Sequence, residues 1–74
     1  MKKTTIQKVA SIGDLFLRAL TDERYANLAL ISASNLGGEG KTLSEARRWL
    51  ELNASEGTEE GVVQEINHCR DLVK

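Results

Sequence analysis

Apolar residues recur at helical spacing in four segments of the chain, and glycines or polar cap residues separate these segments. The first segment covers residues 5–20 and carries an apolar stripe that is wider than one narrow helix face. Its members are Ile6, Val9, Ile12, Gly13, Leu15, Phe16, Leu17, Ala19 and Leu20. Such a stripe predicts a helix that is either deeply buried or covered by a second chain.

The second segment follows Thr21, a residue type that is favoured as the cap of a helix N-terminus. Asp22 and Glu23 suit the positive end of a helix dipole. Gly37 can adopt the left-handed conformation with which many helices end. These signals predict a helix over residues 22–36.

The third segment begins with a capping box, in which the Thr42 hydroxyl and the Glu45 carboxylate each satisfy an otherwise unpaired backbone N–H group. A helix over residues 43–53 follows from this signal. Arg47 and Glu51 are four residues apart in it, so their side chains can form an ion pair on its outer face.

The fourth segment starts at Thr58, which is followed by two glutamates that favour a helix start. Apolar residues then recur at intervals of four, three and four, which is the spacing of one helix face. They are Val62, Ile66, Cys69 and Val73.

Together the four segments predict an all-α protein, a compact bundle of three to four short helices that forms a single small domain over residues 1–74. The alternative is an α/β fragment, because residues 26–33 (ANLALISA) are apolar on almost every side and a strand at 27–33 fits them too. The predicted core consists of Phe16, Leu20, Leu28, Ile31, Trp49, Leu50, Ile66 and Val73.

Composition and charge limit the functional classes to which this protein can belong. The chain has 74 residues, a formal net charge of −1 and a single cysteine. Balanced charge provides no overall attraction to nucleic acid, so we do not expect nucleic-acid binding. One cysteine cannot form an internal disulfide, which fits a reducing compartment, and no apolar run approaches the ~20 residues that cross a membrane. We therefore expect a cytoplasmic protein without a membrane segment.

The loop SNLGGEGKT, residues 34–42, has the residue types of a phosphate-binding loop if a strand precedes it. Glycines let successive N–H groups face phosphate oxygens, a lysine reaches the terminal phosphates, and a threonine hydroxyl ligates magnesium. The candidate ligands of ATP with magnesium are Gly37, Gly38, Gly40, Lys41 and Thr42. In the other interpretation the glycines form an interhelical turn and Thr42 is an N-cap, so no cofactor is needed.

Residues 28–43, and within them Gly-Gly-x-Gly-Lys-Thr, resemble the deviant Walker A segment of the chromosome- and plasmid-partitioning ATPases. The resemblance implies a nucleotide-binding loop that follows a strand. Leu36 stands where that family has its signature lysine, so the role of that lysine is not carried over. A complete NTPase also needs further strands and a second acidic ligand for magnesium. The resemblance therefore implies a fragment, a truncated relative or a phosphate-binding remnant of that family.

No catalytic constellation can be assembled from the remaining residues. His68 and Cys69 are adjacent, which points their side chains in different directions on a helix, and His68 with Glu65 makes too small a set for a metal site. We expect Cys69 to be buried and His68 to be exposed beside Glu65. The leading interpretation is a non-enzymatic protein-binding or regulatory module that self-associates as a homodimer, with a protein or another copy of itself as the partner.

Overall fold

The computed structural model describes residues 6–38 and 42–73, and every regular element within them is helical. This confirms the predicted all-α bundle of three to four short helices. The helices are α1 (Ile12–Ala19), α2 (Glu23–Asn35), α3 (Leu43–Glu56) and α4 (Glu59–His68), and α4 continues into a 3-10 helix (Cys69–Leu72). None of the helices in these residues is long and apolar enough to cross a membrane.

Helix α2 lies at the centre of the bundle, with α1 and α3 packed against it and α4 packed against α3. This position explains why the run at 27–33 is apolar on almost every side. The alternative strand at 27–33 is wrong, because these residues all lie within α2. Ser32 is buried on this helix, and its hydroxyl donates to the carbonyl oxygen of Leu28 at 2.7 Å, so burial leaves the hydroxyl paired.

The core contains most of the residues predicted for it. Four of the predicted core residues are buried, namely Phe16, Leu28, Leu50 and Ile66, and three more pack half-buried at its edge, namely Ile31, Trp49 and Val73. The prediction for Leu20 is wrong, because Leu20, the C-cap of α1 with helical backbone angles, has 77% of its surface exposed.

Each of the four helices begins at a polar cap whose side chain accepts a backbone N–H bond. The caps are Ser11, Asp22, Thr42 and Thr58. Thr42 and Thr58 are confirmed as N-caps. Thr21 is not the cap of α2, because the Asp22 carboxylate accepts the N–H of Arg24 at 3.0 Å and the chain is already helical at Glu23.

The first helix is shorter than predicted. Residue 5 lies outside the described residues, and residues 6–10 form a segment without regular secondary structure that we call the N-terminal strap. Ile6 and Val9 in the strap are both buried in the core, so their apolar character reflects burial of a non-helical segment. Helix α1 starts only after Ser11, whose extended backbone conformation interrupts any helix that runs in from the strap.

Candidate functional site

The turn between α2 and α3 contains the predicted phosphate loop. Gly37, Gly38 and Thr42 are described by the structure, whereas Gly40 and Lys41 lie outside the described residues. Gly37 has a φ angle of +96°, a conformation that glycine adopts without strain. Its N–H donates to the carbonyl of Ser34 at 3.0 Å. Gly37 therefore ends α2 in the left-handed conformation expected from the sequence.

Gly38 completes this helix end. Its N–H donates to the carbonyl oxygen of Ala33 at 2.8 Å, which makes the pair of bonds a Schellman motif. The indole of Trp49 packs directly on its backbone, so a Cβ at this position would lie 2.6 Å from a Trp49 ring carbon. Only glycine fits between α2 and α3 here. The Trp49 Nε1 atom is buried and has no hydrogen-bond partner among the described residues.

Thr42 is also engaged within the chain. Its hydroxyl oxygen accepts the N–H of Glu45 at 3.2 Å, and the hydroxyl lies 3.3 Å from a Glu45 carboxylate oxygen. A magnesium ligand at this position would have to share the hydroxyl with the start of α3. The N–H groups of Gly37 and Gly38 are likewise already bonded to carbonyl oxygens at the end of α2. A phosphate at this turn would require these bonds to be released.

Helix α1, away from the glycine-rich turn, carries an exposed apolar surface. Leu17 is 66% exposed and Leu20 is 77% exposed, although large apolar side chains are usually covered. Together with the exposed Gly13 they are spaced by four and three residues, so they share one face of the helix. We call these three residues the α1 face.

One side of the α1 face borders a groove between α1 and α3. Its apolar part has a volume of about 350 Å³ and is lined by Phe16, Leu20, Leu43, Ser44 and Arg47. The Arg47 guanidinium lies 5.5 Å from the centre of the Phe16 ring and pairs with Glu51 at 3.1 Å, so the predicted ion pair is confirmed. Arg47 covers an aromatic ring that would otherwise face water.

Charges flank the other side of the α1 face. The Asp14 carboxylate accepts the N–H of Ala10 at 2.9 Å and the Nε–H of Arg18 at 3.1 Å. The Ala10 hydrogen bond is the main reason that the pKa of Asp14 is lowered, and Arg18 lowers it further. Asp14 thus lies near the start of α1 and Arg18 near its end.

The remaining candidate residues form no reactive centre. Cys69 is buried, as predicted, and its sulfur accepts a hydrogen bond from Asn35 at 3.0 Å. Its thiol donates to Glu65 at 3.3 Å, and burial, followed by Glu65, raises its pKa. His68 is exposed, as expected. Within residues 6–38 and 42–73, no three His, Cys, Asp or Glu side chains are arranged to hold a metal ion.

No family model matches the chain, and comparison with curated proteins and with solved structures finds no match. The fold and its surface thus define a small four-helix protein with one prominently apolar helix face. Leu20 was predicted in the core because its spacing fits the buried stripe. Gly13, Leu17 and Leu20 are also spaced as a second stripe along α1, but only the orientation of α1 shows that this second stripe is exposed.

Proposed function

We propose that this protein is a small, non-enzymatic protein-binding and regulatory module whose α1 face pairs with the same face of a second copy. The observation that carries the proposal is the exposure of Leu17 and Leu20 beside the apolar groove. Adjacent exposed leucines on one helix favour burial against a partner, since each covered leucine side chain contributes roughly 1.5–3 kcal/mol.

The charges beside the α1 face favour a second copy over an unrelated partner. When two identical helices pack antiparallel about a two-fold axis, the same flank of each meets the other. Asp14 near the start of one α1 then lies opposite Arg18 near the end of the other. Gly13 has no side chain, so it permits close approach of the two helices. The α1 face is therefore complementary to itself in charge and in shape.

Sedimentation velocity of the wild type and of Leu17→Ser/Leu20→Ser tests this proposal. We expect a wild-type dimer that the double substitution weakens about 10,000-fold, because each substitution is present in both copies and loss of roughly 1.5 kcal/mol at each of the four leucines corresponds to about tenfold each. Leu52→Ser/Leu72→Ser is the matched control, since both leucines are exposed on other elements. A wild type that stays monomeric at millimolar concentration would overturn the proposal.

The second candidate function is a phosphate- or nucleotide-binding fragment related to the partitioning ATPases, supported by the motif Gly-Gly-x-Gly-Lys-Thr at 37–42. Its test is a titration of ATP with magnesium that follows the backbone amide signals of that loop. Saturable shifts that are lost in Lys41→Ala and need magnesium would support it. Unchanged spectra at millimolar nucleotide would exclude it.

A further inference from the structure

A second pocket lies between α1 and α3, close to the start of α1. It has a volume of about 390 Å³, and Ile12, Gly13 and Ala54 provide its apolar lining. Its polar lining includes Ser55 and Glu59. The Glu59 carboxylate accepts the N–H of Ile12 at 3.1 Å, so the first turn of α4 is tied to this edge of the pocket. We call it the Gly13 pocket.

Gly13 keeps this pocket open, and nothing within the chain requires a glycine there. Apart from its chain neighbours and the backbone of its own helix, a Cβ built on Gly13 would have only the Ser11 hydroxyl oxygen within 4 Å, at 3.8 Å. Among the described glycines, only Gly37 has a positive φ angle. A glycine inside a helix is also less favourable than an alanine. Gly13 is therefore explained neither by space nor by backbone angle within one chain, and it leaves room for a side chain from outside.

Gly13 and Leu20 fit the same two-fold axis as the charges of α1. They are seven residues apart, about 10 Å along the helix, and their midpoint lies just after Phe16. The midpoint of Asp14 and Arg18 is Phe16 itself. A two-fold axis level with Phe16 brings Asp14 of each copy to Arg18 of the other. The same axis brings Leu20 of each copy to Gly13 of the other.

Both residues also lie on the side of α1 that such pairing requires. Gly13 and Leu20 each line a pocket between α1 and α3. Antiparallel pairing brings this side of one α1 to the same side of the other. Leu20 is 77% exposed and has helical backbone angles, so its side chain continues the face of the helix. The exposed leucine of each copy is thus directed towards the open pocket of the other.

We propose that the Gly13 pocket receives the Leu20 side chain of a second copy, so that α3 as well as α1 forms the interface. This inference rests on the proposed pairing of the α1 face and adds its register. Each copy supplies one leucine and one pocket, so the two-fold arrangement fills both pockets at once. Ile12 is buried and Ala54 is half-buried, which gives the leucine apolar atoms to pack against, whereas Glu59 stays exposed at the edge.

Gly13→Leu and Leu20→Gly test this arrangement from its two sides. Gly13→Leu fills the pocket with a side chain of its own chain, and Leu20→Gly leaves the pocket empty. In sedimentation velocity each variant alone should dimerise at least about 100-fold more weakly than the wild type, because both pockets lose their leucine. Gly13→Ala is a milder second variant, since its methyl group meets nothing in the monomer but lies where Leu20 packs, and unchanged pairing of this variant would overturn the proposal. Gln64→Leu, which adds a leucine at an exposed position of α4, is the matched control and should leave the dimer unchanged.

An equimolar mixture of Gly13→Leu and Leu20→Gly is a stricter test of the register. In the mixed dimer one leucine–glycine contact is that of the wild type, and in the other contact the two residue types have exchanged chains. The mixture should therefore associate at least about tenfold more tightly than either variant alone, since one Leu20 regains an open pocket. No preference for the mixed dimer would overturn the proposal.

Nuclear Overhauser effects between ¹³C-labelled and unlabelled copies of the wild type measure the contact directly. We expect signals from the Leu20 methyl groups of one copy to the Gly13 α protons and the Ala54 methyl group of the other. Gly13 and Leu20 of one chain are about 10 Å apart along the helix, which is too far for such a signal within a chain.

The outcomes separate this inference from the proposed function. A wild-type dimer that Leu17→Ser/Leu20→Ser weakens, but that lacks these intermolecular signals, would retain pairing of the α1 face and overturn the Gly13 pocket as the site of Leu20. A wild type that stays monomeric at millimolar concentration would overturn both.

Discussion

Two adjacent glycines end α2 for different physical reasons. Gly37 is needed for its backbone angle, since nothing lies within 4 Å of a Cβ built there, whereas Gly38 is needed for space. The sequence motif of a phosphate loop and the stereochemistry of a helix end therefore require the same residue type at these positions. This overlap explains why the glycine pattern alone fits both a phosphate loop and a helix end. Only the backbone geometry distinguishes the two.

We expect Gly38→Ala to destabilise the fold more than Gly37→Ala. The left-handed angle at Gly37 costs an L-residue roughly 1–2 kcal/mol, whereas a methyl group at Gly38 collides with Trp49 and with the Ala33 carbonyl oxygen. Gly13→Ala, made together with Leu17→Ser/Leu20→Ser so that α1 pairing does not contribute, is the control, because Gly13 lies in α1 with only ordinary contact nearby and its substitution should stabilise by about 0.5–1 kcal/mol. Urea unfolding followed by circular dichroism measures all three, and equal costs at Gly37 and Gly38 would contradict the structure.

Asp14 should make stability depend on pH. Its folded pKa is lowered from 3.8, so its contribution is complete above that value and is lost as the pH falls towards the folded pKa. We expect Asp14→Asn to destabilise at pH 7 and to have a much smaller effect at about pH 2.5. Asp71→Asn, at an exposed carboxylate of the 3-10 helix, is the control. A destabilisation of equal size at both pH values would refute this prediction.

At the scale of the elements, local signals predicted the helices well where their ends are set by nearby residues. Thr42 and Thr58 cap α3 and α4 as expected, and Gly37 ends α2. Helix α3 continues to Glu56, beyond the predicted end at residue 53, and Gly57 follows it. The prediction failed for residues 6–10, because apolar spacing could not distinguish a non-helical strap with two buried side chains from a first turn of α1.

Thr21 and Asp22, which are adjacent at the start of α2, are the predicted and the observed N-cap, so the stability cost of replacing each with alanine can be compared directly. Asp22→Ala should cost about 1 kcal/mol, because it removes the carboxylate that accepts the Arg24 N–H. Thr21→Ala should lie within about 0.5 kcal/mol of the wild type, since the Thr21 hydroxyl makes only an exposed 3.4 Å contact with the Arg18 carbonyl. Chemical denaturation of both variants measures the difference, and the reverse order would show that Thr21 is the cap.

At the scale of the whole molecule, four short helices and the strap share one core around α2. The sequence predicted the class of fold and most of this core from periodicity. It could not predict where the strap packs, because Val9 and Asn67, which are hydrogen-bonded, are 58 residues apart and no local pattern connects them. The sequence indicated an apolar stripe on the first helix wide enough to be covered by a second chain, but it could not show which residues of the stripe stay exposed, since that depends on where the neighbouring helices pack.

A small protein with a single core has a small free energy of unfolding, so one core substitution removes a large part of it. Leu28→Ala should cost about 2–5 kcal/mol, a large part of the total for a domain of this size. Leu72→Ala, at a leucine that is 62% exposed, should change stability by less than about 0.5 kcal/mol. Thermal unfolding of the two variants measures the contrast. Similar melting temperatures would mean that α2 is not the centre of the core.

Trp49 is the only tryptophan of the chain, and its indole rests on Gly38 at the end of α2. Ultraviolet emission excited selectively in this indole therefore originates from one place, the contact between α2 and α3 beside the glycine-rich turn. A ligand that rearranged this turn would admit water to the ring and shift the emission to longer wavelength. Pairing at the α1 face would leave the ring where it is, so the emission of unlabelled protein distinguishes the two events.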